Sequence, residues 1–146
     1  MIEHIVYTIA LAIIFALLEV QVEGKDGWCR NLPTFRINVF FRKILGGKPL
    51  TGYHIYLILF LIIVFHAMLH ENPFSLQKEF QIFGLLCWFF ILEDFCWFIF
   101  NPHYQLKRFL KKDIEWHKRW IWKLPSMYWW GGIIGTFLLI LGRQSC

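Results

Sequence analysis

Residues 80–100 read FQIFGLLCWFFILEDFCWFIF, and this stretch decides which fold the sequence predicts. An α-helix needs about 20 predominantly apolar residues to cross the hydrocarbon core of a bilayer, and the stretch has that length. Two adjacent carboxylates, Glu93 and Asp94, interrupt it. Ionisable groups inside a membrane span are costly and need partners, so the stretch predicts a membrane helix that carries part of a polar site.

Three further apolar stretches occupy residues 5–22, 53–69 and 126–141. With residues 80–100 they predict an all-α integral membrane protein, a single domain over residues 1–146 in which four transmembrane helices form a bundle. The composition agrees, because 58% of the residues are hydrophobic and 17% are charged, whereas soluble domains average about 25% charged residues. These values exclude a soluble enzyme, a secreted disulfide scaffold and a disordered tail.

The placement of basic residues predicts the topology. The net charge is +5, and of 15 Lys and Arg residues six lie in residues 23–52 and seven in residues 101–125. The positive-inside rule places both connections in the cytoplasm and both termini on the non-cytoplasmic side. The predicted partners are therefore membrane lipids, with anionic headgroups on the cytoplasmic face, and no nucleic acid.

Each cytoplasmic connection contains a segment that we expect to form an amphipathic helix on the membrane surface, at about residues 36–45 and 105–124. In the second segment, apolar and basic side chains separate onto opposite arcs of a helical wheel. Asp113 and His117 fall on the apolar arc, four residues apart, where they can touch. They are interpreted either as a structural pair or as a carboxylate that orients an imidazole for proton transfer or metal ligation.

Acidic side chains of two predicted spans lie near the cytoplasmic end of the bundle. The topology puts Glu19 of the first span at the depth of Glu93 and Asp94 of the third, and His54 begins the second span at the same level. Acid and imidazole groups that converge from several helices are what a metal site or a proton relay requires. The sequence thus predicts an acid/histidine cluster at the cytoplasmic interface.

Roles follow from the chemistry of these groups. Glu93 or Asp94 would hold a cation or act as a general base, Glu19 would complete the acidic cluster, and Asp113 would orient His117. The alternative is structural, with the carboxylates paired to arginines of the first connection so that the loop is fixed against the bundle. Those arginines are Arg30, Arg36 and Arg42.

A second group of candidate ligands lies near the opposite end of the bundle. His66 and His70 are four residues apart on one face of the second span, and His4 is at the same level on the first. A histidine pair at this spacing can chelate a divalent metal, which makes these three residues candidate ligands and a divalent metal the candidate cofactor. The alternative is that water or neighbouring groups satisfy them.

Three functions remain compatible with these residues, and whether the protein is an enzyme stays open. The first is a small membrane enzyme or metalloprotein that binds a metal or a lipid headgroup and acts on a membrane-soluble substrate. The second is a non-enzymatic membrane subunit or scaffold whose polar residues fix helix packing. The third is an oligomeric ion or proton pathway. Gly131, Gly132 and Gly135 allow a close helix–helix approach, and short spans make a homo-oligomer an expectation.

Overall fold

Four long helices coincide with the four apolar stretches of the sequence. The structure, a computed structural model, describes residues 2–38, 48–70 and 74–143. Two of the long helices are long and apolar enough to cross a membrane, and the other two are apolar but shorter. The long helices are α1 (Ile2–Glu23), α2 (Gly52–Met68), α3 (Leu76–Phe100) and α5 (Ser126–Leu141), and the short helix α4 spans Gln105–Leu110.

Helix α3 is central and packs against α1, α2 and α5. Its contact with α5 depends on two glycines, because a Cβ atom added at Gly84 would lie 2.9 Å from the carbonyl oxygen of Gly135. A Cβ atom at Gly135 would lie 2.9 Å from the Cβ atom of Cys87. The close approach predicted at Gly135 is confirmed, and Gly84 supplies the matching position on α3.

The ends of α1 and α3 are fastened to each other by Asn101, which is fully buried. Its Nδ2 donates to the carbonyl oxygen of Gly24 at 3.0 Å, and its Oδ1 accepts from the backbone N–H of His103 at 2.9 Å. Beside it, a cluster of aromatic side chains joins the end of α3 to the following segment, with Trp97 and Phe98 at its centre. This end of the bundle carries the polar site.

The predicted amphipathic helix over residues 105–124 is wrong beyond α4. A turn follows α4, in which Lys112 has a left-handed backbone (φ 59). The chain then forms an antiparallel hairpin of two short strands, β3 (Trp120–Ile121) and β4 (Leu124–Pro125). Between the turn at Lys112 and strand β3, the side chains of Ile114, Trp116 and His117 are buried in the bundle. Burying these three side chains stabilises the observed loop and hairpin. A surface helix over the same residues would gain less, because an isolated amphipathic helix is only marginally stable.

The predicted helix over residues 36–45 is wrong at its start, and its remainder from residue 39 lies outside the described residues. Arg36–Ile37 forms a strand paired antiparallel with Leu50–Thr51. The Arg36 guanidinium donates to the carbonyl oxygens of Cys29 and Arg30, both at 3.0 Å. It therefore satisfies backbone groups of the preceding loop, which an extended chain places within its reach.

Candidate functional site

A cavity of about 420 Å³ lies at the end of the bundle that Asn101 fastens. Its apolar wall comes from α2, α3 and α5, and includes Leu57, Phe90 and Met127. Its polar wall contains no Lys or Arg among the residues that the structure describes. The polar wall consists of Glu19, Glu23, His54, Glu93, Asp94 and His117. An apolar cavity with a few converging polar groups is the usual form of a small-molecule site.

Asp94 holds His117 in the cavity wall. The Nε2 atom of His117 lies 2.9 Å from Asp94 Oδ2, and the same oxygen accepts a hydrogen bond from the Tyr128 hydroxyl. His117 is 7% exposed, and its Nδ1 has no hydrogen-bond partner within the described part of the chain. A carboxylate on Nε2 fixes the ring and leaves Nδ1 as the proton-accepting nitrogen of the neutral imidazole.

A pair of buried carboxyl groups lies beside this arrangement. The Tyr53 hydroxyl donates to Glu19 Oε1 at 3.1 Å, and the carboxyl groups of Glu19 and Glu93 contact each other. Such a contact is favourable when the two groups share a proton. The Oε1 atom of Glu93 is buried and finds no partner in the ranges 2–38, 48–70 and 74–143. Among the residues that line the cavity, the buried polar atoms without a partner in the described ranges are thus Glu93 Oε1, His117 Nδ1 and the Nε1–H donor of Trp97.

Glu23, Cys29 and His54 form a cluster that the sequence did not predict. Their potential ligand atoms all lie within 4.8 Å of one another. Glu23 Oε1 accepts from the Cys29 backbone N–H at 2.9 Å and from its Sγ at 3.2 Å. The three residues share no local sequence motif. The features that could have indicated the cluster are the glycines after the first apolar stretch, which indicate a turn, and the position of His54 at the start of the second stretch.

The structure brings four of the five predicted cluster residues to one cavity and leaves Asp113 outside. Glu19, Glu93, Asp94 and His117 line the cavity. The predicted contact between Asp113 and His117 is wrong, because α4 ends before these residues and they no longer share a helix face. The Asp113 side chain is 73% exposed and its Oδ2 lies 3.4 Å from Arg108 Nε.

The three histidines predicted as metal ligands, His4, His66 and His70, do not form a compact ligand cluster among the described residues. Both ring nitrogens of His66 are engaged, with Nε2 3.2 Å from Glu79 Oε2 and Nδ1 2.7 Å from the carbonyl oxygen of Ile62. The Nδ1 atom of His70 lies 2.9 Å from the carbonyl oxygen of Ala67, and the ring is exposed. His4 is half-buried on α1. Within the described residues, the compact three-ligand cluster is instead Glu23, Cys29 and His54.

Three arrangements therefore lie in or directly behind the polar wall: a carboxylate–imidazole pair, a carboxyl pair, and a mixed acid, thiol and imidazole cluster in which Glu23 and His54 line the cavity. Each joins residues from different helices or loops. Comparisons of the chain with protein-family models, with curated proteins and with solved structures find no match.

Proposed function

We propose that the chain is a multi-pass membrane protein in which α1, α2, α3 and α5 all cross the bilayer and both termini are non-cytoplasmic. At 1.5 Å per residue, the 17 residues of α2 and the 16 of α5 span about 25 Å, which a modest thinning of the bilayer accommodates. The outward faces of these two helices support this, since they expose large apolar side chains. Examples are Phe60, Ile63, Ile133 and Phe137.

Within this framework, we infer that the cavity binds a membrane-soluble molecule with an apolar body and a hydroxyl or amine head. The observation that carries the proposal is the pair of buried acceptors without a partner in the described residues, Glu93 Oε1 and His117 Nδ1, which belong to residues of the polar wall of the cavity. An unsatisfied buried polar group costs about 1–3 kcal/mol. A ligand head with two donor hydrogens, such as an amine or a pair of hydroxyls, would donate to both atoms and remove that cost.

The same geometry supports proton transfer as the chemistry of the site. His117, oriented by Asp94, would accept a proton from the hydroxyl or amine of the bound molecule as a general base, and Glu93 would hold the head in place. The protein would then be an enzyme that acts on a membrane-soluble substrate. The four carboxyl groups in the wall favour such a donor head over a phosphate inside the cavity.

The exposed basic residues outside the cavity are suited to contact anionic lipid headgroups. Lysines 107, 111, 112, 118 and 123 are exposed at the same end of the bundle. On the proposed topology they face the cytoplasmic leaflet, where each contributes about 1 kcal/mol of attraction to an anionic surface. Anionic headgroups would therefore surround the cavity mouth without entering it.

A non-enzymatic scaffold is the second candidate, and one observation favours it. Asp94 Oδ2 joins three elements, because it bonds both His117 of the loop and Tyr128 of α5 while belonging to α3. A group with this connectivity fixes packing whether or not a ligand is present.

Mass spectrometry of the purified protein separates the two candidates. We expect wild type and Asp113→Asn to retain a small amphipathic molecule, whereas Glu93→Gln and His117→Ala lose it and unfold within a few degrees of wild type. Asp113→Asn is the matched control because this carboxylate lies outside the cavity. Wild type that retains no such molecule, together with cavity variants that unfold at markedly lower temperature, would support the scaffold instead.

A further inference from the structure

We propose that Glu23, Cys29 and His54 bind a zinc ion, with Glu23 at the end of α1, Cys29 in the following loop and His54 in the first turn of α2. Carboxylate, thiolate and imidazole are all common zinc ligands. In a tetrahedral site their ligand atoms are about 3.5 Å apart. Here the three atoms lie within 4.8 Å of one another, so small side-chain rotations bring them to that spacing.

The charge of the ligand set matches a divalent ion in a buried place. Cys29 is fully buried and Glu23 is half-buried. A thiolate and a carboxylate together balance two positive charges, and the neutral imidazole adds none. As described, the Cys29 thiol donates its proton toward Glu23 Oε1 at 3.2 Å. Zinc binding would release that proton to solvent and form a Zn–S bond in its place, so metal binding and proton release are coupled.

The surrounding structure holds the three ligands in position before any ion binds. Thr51 Oγ1 lies 2.7 Å from His54 Nδ1 and accepts from the His54 backbone N–H. Trp28 donates to the carbonyl oxygen of Pro49 at 3.0 Å, and its ring lies 4.8 Å from the His54 ring. Trp28 and Cys29 both have φ of 50°, a left-handed conformation that costs about 1–2 kcal/mol per residue. This strained turn aims Cys29 at Glu23.

The chemistry and the number of the three ligands also indicate which metal ion binds and whether the ion has a structural or a catalytic role. A thiolate disfavours Mg²⁺ and Ca²⁺ and favours zinc among the abundant divalent ions. Three protein ligands leave a fourth position for water or a ligand, as in catalytic rather than structural zinc sites. Glu23 and His54 line the cavity, so the fourth position opens toward it. The site rests on its own three ligands and does not depend on the function proposed above.

Elemental analysis of purified protein dialysed with zinc tests the site. We expect one zinc per chain in wild type and in Cys96→Ser, a matched control because Cys96 lies outside the cluster. Cys29→Ser and His54→Gln should each bind at least about tenfold more weakly. His117→Ala should retain the zinc, which separates this site from the proposed general base.

Cobalt substitution gives a second, spectroscopic readout of the same site. Wild type loaded with Co²⁺ should show the near-ultraviolet charge-transfer absorption of a thiolate ligand, and Cys29→Ser should lack it while Cys96→Ser keeps it. Folded wild type that binds no stoichiometric zinc and shows no such band would overturn the proposal. Equal zinc content in wild type and in folded Cys29→Ser or His54→Gln would overturn it as well.

Discussion

Asp94 Oδ2 and His117 Nε2 lie 2.9 Å apart although 23 residues separate them in the chain. The carboxylate comes from the last two turns of the apolar helix α3, and the imidazole comes from the loop between α4 and β3. Their contact accounts for a charge in a place where an apolar helix does not otherwise tolerate one. The second ring nitrogen of His117, Nδ1, is buried and has no hydrogen-bond partner within residues 2–38, 48–70 and 74–143.

Replacing Asp94 tests the strength of this contact. We expect Asp94→Asn to lower the free energy of unfolding by about 1–3 kcal/mol, because two hydrogen bonds to a charged acceptor are weakened in a buried place. Asp113→Asn should change it by less than about 1 kcal/mol, since that ion pair is exposed. Thermal or denaturant unfolding in detergent measures both. Equal effects of the two substitutions would show that the buried contact contributes little.

The contact between α3 and α5 predicts a difference between two neighbouring glycines. A Cβ atom at Gly135 would lie 2.9 Å from the Cβ atom of Cys87 and 3.2 Å from a backbone oxygen of α3, whereas at Gly132 the nearest atom, on Trp88, is 3.8 Å away. We expect Gly135→Ala to destabilise the fold by about 1–3 kcal/mol through overpacking. Gly132→Ala should be neutral or slightly stabilising, because alanine favours the helix. Equal unfolding temperatures for the two variants would contradict this packing.

The ion pair between Lys48 and Glu115 predicts a pH dependence. The hydrogen bond from Lys48 lowers the pKa of Glu115 below its usual 4.5. A lowered pKa means that the pair stabilises the fold above the pKa of the unfolded chain, and that this contribution is lost as the pH falls through the folded-state value. We expect Glu115→Gln to cost at most about 1 kcal/mol at neutral pH, because the pair is partly solvated.

Unfolding measured over a pH series checks this sign. The curves of wild type and Glu115→Gln should converge as the pH falls below 4.5. A difference that grows toward acidic pH would show that Lys48 does not stabilise the ionised carboxylate.

Reporter fusions test the four-span topology. An enzyme that is active only outside the cytoplasm should be active when fused after Arg143 and inactive when fused after Lys111. The reason is that the cationic connection is retained in the cytoplasm. Activity at both positions, or only after Lys111, would contradict the orientation proposed here.

Elements that depend on a local pattern could be predicted from the sequence, whereas elements that depend on long-range contacts could not. The four long helices were predictable because each apolar stretch is long, and Glu19, Glu93 and Asp94 could be expected together because they lie near the ends of their helices that line the cavity. The helix predicted over residues 105–124 rested on a periodicity that is local in the sequence. In the structure Trp116 is buried against the distant Trp97, with 5.6 Å between the ring centroids. Packing of this kind overrides local periodicity.

The cluster of Glu23, Cys29 and His54 was not predictable for a related reason. It depends on a turn in which Trp28 and Cys29 both have a left-handed backbone. Residues other than glycine seldom adopt this conformation, so the sequence does not predict it. It also depends on the Trp28 hydrogen bond to Pro49, across 21 residues. Neither feature leaves a periodic pattern in the chain.

The most direct test of the proposed function is an experimental structure of the protein in lipid, at a resolution that shows the contents of the cavity. The predicted result is elongated density in the apolar part of the cavity. Its polar end should lie about 3 Å from both Glu93 Oε1 and His117 Nδ1, the distance of a hydrogen bond. A cavity closed by protein side chains, with Glu93 and His117 bonded to each other or to neighbouring residues, would contradict the proposed function.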